Sequence, residues 1–152
     1  MGDKLRIYVD TSVIGGCLDI EFDRESQALL QMVRDKQVVL LVSELLGIEL
    51  RRAGPAVRAV LAPLPAGQIE NVPITPESLH LRDAYLAASV VGPRHANDAH
   101  HIALATVARA DLVVSWNFKH IVHWDRIRLF NAVNLREGYS PIDIRSPREV
   151  VS

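Results

Sequence analysis

Two short apolar runs constrain this chain most: "LRIYV", Leu5 to Val9, and "VVLLV", Val38 to Val42. A strand with one wet face alternates apolar and polar residues, whereas one covered on both faces reads as a continuous apolar run. Between the two runs, "DRESQALLQMVRDK" repeats Leu29, Met32 and Val33 at helical spacing. Strand, helix and strand in succession predict a parallel pair joined by a right-handed crossover.

The remainder continues that alternation. Ser43 stands where a helix cap belongs, ahead of "ELLGIELRRA", and Gly54-Pro55 closes that helix and opens another through "AVRAVLAPL". "IENVPIT" reads as a shorter strand, and Thr75 with Pro76 starts the helix "TPESLHLRDAYLAASVV". After "GPRHAN" comes the helix "DAHHIALATVARA", which Asp98 opens and Asn97 can cap, and then the strand "LVVSW". A last helix, a Gly-Tyr-Ser-Pro break and a short strand at Ile142 to Ile144 complete the pattern. The expected class is α/β, with a central, mainly parallel sheet.

A length of 152 residues suits one domain over 1–152. The net charge of -1 argues against a protein that coats nucleic acid by bulk electrostatics, and the scarce aromatics (5%) argue against stacking platforms for bases. Cys17 is the only cysteine, so no internal disulfide forms, which fits a reducing cytoplasm. No apolar stretch is long enough to span a bilayer, and no membrane partner is expected.

In open α/β sheets, ligands bind beyond the carboxyl ends of the strands. Asp10 ends the first strand there, followed by Thr11, Ser12 and the glycines Gly15 and Gly16, which let the backbone turn away. Taken alone, Asp10 is better explained as a turn cap. Glu49 is harder to explain so simply: it follows Leu45 and Leu46 in the apolar stripe of its helix, where a carboxylate needs a partner. Asp98 opens a helix, and Asn117 follows the strand "LVVSW". Two carboxylates about 4 Å apart repel by roughly 4 kcal/mol at an effective dielectric near 20, so a converging set requires protons or a cation. Asp10, Glu49, Asp98 and Asn117 form an all-oxygen set suited to Mg²⁺ or Mn²⁺, the chemistry of metal-assisted phosphodiester hydrolysis.

In order and spacing, "YVDTSVIGG", "VSELLGIELRRA", "NDAHHIALATVARADLVVSWNFKHI" and "GYSPIDIRSPREVV" resemble the PIN domain of VapC-like toxins. The resemblance implies a three-layer α/β/α fold and a Mg²⁺- or Mn²⁺-dependent ribonuclease, with metal-binding positions at Asp10, Glu49 and Asp98. The family's fourth acidic position matches Asn117, and the lost charge weakens the hold on a second metal. Thr11 matches the hydroxyl position after the first aspartate, with Ser12 beside it, for orienting a metal-bound water or a phosphate. The resemblance also implies an RNA substrate, self-pairing and an antitoxin partner.

Two other readings stay open. One is a catalytically silent interaction module of the same fold. The other is a hydrolase with a zinc ion on a subset of His95, His100, His101, His120 and His123, although no helical H-E-x-x-H is present. His101, three residues after Asp98, is expected either to stand behind the metal ligands or to be an ordinary satisfied helix histidine. Lys119, with Arg126 and Arg128, and a second group of Arg51, Arg52 and Arg58 are candidates to hold RNA phosphates, or else simply a solvated face.

Overall fold

The computed structural model describes residues 4–151. In chain order the elements are β1 (Leu5–Val9), α1 (Thr11–Gly16), α2 (Asp23–Arg34), β2 (Val38–Ser43), α3 (Glu44–Arg51), α4 (Pro55–Arg58), β3 (Ile69–Val72), α5 (Pro76–Ala87), α6 (Ala96–Val107), β4 (Leu112–Val114), α7 (Trp124–Arg136), β5 (Asp143–Arg145) and α8 (Pro147–Val151). The strands form one five-stranded sheet of order β3-β2-β1-β4-β5. Every pairing is parallel.

The register explains why β1 and β2 read as apolar runs. Ile7 lies opposite Leu40 on one side and Leu112 on the other, and all three enter a core with Val13 and Ile14 of α1, Leu29 and Val33 of α2, and Leu46 of α3. The next residue, Tyr8, lies opposite Leu41 and Val113 and faces the second core, with Leu81 and Tyr85 of α5, Ile102 of α6 and Phe130 of α7. Both pleat faces are therefore buried, which gives three layers, α/β/α. Arg6, the charged residue of the first run, is satisfied by Glu70, its Nε donating to Oε1 at 3.0 Å.

Several local signals act as the sequence suggests. Ser43 caps α3, its Oγ accepting from Leu46 N at 3.0 Å. Thr75 caps α5 in a reciprocal pair with Ser78.

The structure corrects others. The residues after Asp10 form the short helix α1 rather than a loop, and Val13 and Ile14 are fully buried. Gly16 serves close approach instead of a turn: a Cβ there would lie 2.6 Å from Ser26 Oγ and 2.9 Å from Trp116 Nε1. The cap of α6 is His95, and Asn97 lies inside the helix. Strand β4 stops at Val114: Ser115 N still donates to Arg145 O of β5 at 3.1 Å, but Trp116 N turns to Ser12 Oγ of α1. The segment "AVRAVLAPL" contributes only the four-residue α4 and a 3-10 turn. No helix among the described residues is long and apolar enough to cross a membrane.

Candidate active site

Strands β2 and β3 are laid down on one side of β1, and the chain then crosses to place β4 on the other side. Connections thus diverge between β1 and β4, where an open parallel sheet leaves a crevice at its carboxyl edge. Asp10 lies there, only 4% exposed. Its side chain does not cap α1. Instead Oδ1 accepts from Ser12 Oγ at 2.6 Å and Oδ2 from Ser115 Oγ at 2.9 Å. Ser12 Oγ also accepts from Trp116 N at 2.9 Å, so Asp10 and the two serines join the ends of β1 and β4. Burial pushes the Asp10 carboxyl above its ordinary value, helped by the charge of Asp98 and opposed by His101 and the two serines.

Glu49, near the end of α3, finds the partners that its position requires. Its Oε1 accepts from Thr11 Oγ1 at 2.6 Å and faces His101 Nε2 at 2.6 Å. Burial pushes this carboxyl up, but His101, Thr11 and Arg52 outweigh it and hold it below the usual glutamate value. The two carboxylates are thus driven in opposite directions.

His101 is buried on α6, and its Nδ1 stands 2.5 Å from the Tyr8 hydroxyl. That hydroxyl is 2.9 Å from Ser43 Oγ, the cap of α3. Tyr8 has one proton for Ser43 or His101, so the tautomer of His101 sets the polarity of the whole chain.

Asp98, in the first turn of α6, is half-buried. His95 Nδ1 is 3.7 Å from its Oδ2, beyond hydrogen-bond length. Among the described residues, no lysine or arginine forms an ion pair with Asp10, Glu49 or Asp98. A set of carboxylates with hydroxyl and imidazole partners and no lysine or arginine ion pair has the chemistry of a divalent-metal site.

No family model matches the sequence, and no curated protein does. Solved structures match in fold. VapBC2 from Rickettsia felis, bound to a DNA fragment from its promoter, aligns over 93% of this chain and 98% of its own, with TM-score 0.57 and 12% identity. FitAcB from Neisseria gonorrhoeae gives the same coverage and TM-score at 19% identity. VapC20 of Mycobacterium tuberculosis, a sarcin-ricin loop cleaving toxin, aligns over 90% of this chain and 98% of its own, with TM-score 0.54 and 15% identity. The fold is the VapC-like PIN fold.

Within this PIN fold Asn117 joins the site through its backbone, its N–H donating at 2.9 Å to Ser115 Oγ, the hydroxyl that holds Asp10. Its Oδ1 accepts from His120 N at 2.9 Å, and its carbonyl accepts from Ile121 N and Val122 N, so Asn117 shapes the loop. His120 is the residue that reaches Asp98: one ligand atom each from His95, Asp98 and His120 all lie within 4.8 Å of one another. His100 turns away, its Nε2 3.1 Å from Ser78 Oγ.

The basic residues also divide. Arg52 acts on Glu49, and Lys119 and Arg126 act on His120, so these three border the acidic edge of the PIN fold. Arg58 instead donates to the carbonyls of Arg51 and Ala53, and Arg128 stacks over Trp124. The sequence reasoning missed Ser115 and Tyr8. A serine after a strand and a tyrosine within one carry no signal apart from the residues they meet.

Proposed function

We propose that this chain is a metal-dependent endoribonuclease that hydrolyses RNA phosphodiester bonds, and that it is the toxin of a toxin-antitoxin pair acting in the cytoplasm. The reading rests first on the convergence at one sheet edge: the charges of Asp98 and His101 both act on buried Asp10, while Thr11, its chain neighbour, holds Glu49. Asp10, Glu49 and Asp98 would bind Mg²⁺ or Mn²⁺, which supplies an activated water and neutralises charge on the phosphoryl group.

The chain's own residues have separable tasks in this reading. Ser12 and Ser115 fix both oxygens of Asp10, so its carboxylate meets an ion without reorganising. Thr11 and His101 aim Glu49 and keep it ionised. Asn117 acts at one remove, by setting the loop that carries His120. Arg52, Lys119 and Arg126 hold RNA phosphates beside the acidic edge.

The neighbours VapBC2 and FitAcB favour an antitoxin protein as partner, and the toxin that cleaves the sarcin-ricin loop favours an RNA substrate; a self-paired toxin follows from the sequence resemblance alone. The test is incubation of purified protein with a mixed RNA pool in Mn²⁺, in Mg²⁺ and in chelator, alongside Asp98→Asn. Metal-dependent cutting that the variant loses is expected. A folded, metal-loaded protein that leaves RNA intact would overturn the reading in favour of a silent interaction module.

A further inference from the structure

Three groups from two separate segments meet beside the acidic edge. His95 ends the 3-10 turn Pro93–His95, Asp98 lies in the first turn of α6, and His120 comes from the loop after β4. Their ligand atoms fall within 4.8 Å of one another, and all three side chains are partly exposed, so a solvated ion can reach them. The His95 and His120 rings stack with centroids 3.6 Å apart and planes 27° apart. Stacking holds the two rings side by side, so that one nitrogen of each lies near the Asp98 carboxylate.

The local bonding keeps the two rings available. Asn117 Oδ1 holds the backbone N–H of His120, so the loop is anchored without using the ring. The closest approach of His95 to Asp98, 3.7 Å, is too long for a hydrogen bond that would compete with a metal.

We propose that His95, Asp98 and His120 form a binding site for a borderline transition-metal dication, Zn²⁺ in preference to Mg²⁺. Two imidazoles and a carboxylate leave an open coordination position and select against a hard ion that requires oxygen ligands. Asp98 belongs to this set as well as to the carboxylate set, so imidazole influences which ion the acidic edge retains. The site does not depend on the ribonuclease reading, and its test uses no RNA.

The test titrates Co²⁺, a coloured substitute for Zn²⁺, into chelator-treated full-length protein and follows its visible absorption. Intense d–d bands of a low-coordinate site are expected, removed by Zn²⁺ and resistant to excess Mg²⁺. His95→Ala and His120→Ala should each weaken Co²⁺ binding by about 10-fold or more. Asp10→Asn should retain it. Unchanged binding in both histidine variants, or loss in Asp10→Asn alone, would overturn the proposal and put the ion on the carboxylates. A wild-type measurement guards against misfolded variants: substoichiometric Co²⁺ should perturb the His95 and His120 ring resonances before that of exposed His80. Equal effects on all three would also overturn the proposal.

Discussion

Glu49 Oε1 and His101 Nε2 lie 2.6 Å apart, joining a helix that packs on one face of the sheet to a helix that packs on the other. The contact passes over the carboxyl edge of β1, and Tyr8 supports it from inside the core through His101 Nδ1. The aim of Glu49 is therefore built into the packing of both layers. Tyr8→Phe should cost about 1–3 kcal/mol of stability, because buried groups of His101 and Ser43 lose a partner. It should also weaken Mn²⁺ binding about 10-fold, as loss of an outer orienting contact does. Urea denaturation and calorimetric titration measure the two effects, and wild-type values in both would show that the tyrosine chain orients nothing.

Asp10 carries charge at a cost to stability. Its folded value is raised, so the folded protein takes up a proton more readily than the unfolded chain, and stability falls as pH rises from the unfolded value through the folded one. Asp10→Asn should therefore stabilise the metal-free protein by about 1 kcal/mol at neutral pH while abolishing metal-dependent RNA cleavage. Thermal melting in chelator checks the first effect. A variant less stable than wild type would mean that the serine hydrogen bonds outweigh the charge.

The adjacent glycines of α1 should respond differently to alanine. A Cβ on Gly16 collides with Ser26 and Trp116, which are themselves bonded at 2.7 Å, so Gly16→Ala should cost about 1–3 kcal/mol. Gly15 has nothing within 4 Å of its Cβ position, so Gly15→Ala in the same helix should be neutral or stabilise by up to about 1 kcal/mol. Equal effects in denaturant would contradict the close approach.

Acid should weaken the fold through His100. Burial, with Arg82 and His101, lowers its value from 6.5 to about 4. The unfolded chain then binds the proton more readily, so this contribution is complete above about pH 6.5 and is lost as pH falls toward about 4, amounting to at most about 3 kcal/mol. His100→Gln, which can still reach Ser78, should flatten that part of the stability profile measured in chelator. An unchanged slope would assign the acid sensitivity to other groups.

The order of strands and helices was legible because burial on both faces leaves a continuous apolar signature, as in "VVLLV", and because Ser43 and Thr75 act within their own turns. Glu49 was legible as a carboxylate in an apolar stripe that required a partner. The partner itself was legible only in part: the i+3 spacing from Asp98 put His101 rather than His100 on the side of the site, but that His101 meets Glu49 was decided by how α6 packs against the sheet. The loop after β4 was legible only in part, for a related reason. Asn117 and His120 are equally polar in sequence, but in the folded loop the Asn117 amide oxygen accepts from His120 N and the His120 ring is left beside Asp98.

By itself the sequence determined the layers, the parallel sheet and the position of Asp10 at a strand's end, since periodicity and capping act between near neighbours. The tertiary structure alone decided that Ser115 holds Asp10, that His101 joins Glu49 to Tyr8, and that His95 stacks on His120. Those contacts join segments far apart in the chain, and their geometry depends on how two helical layers settle on one twisted sheet.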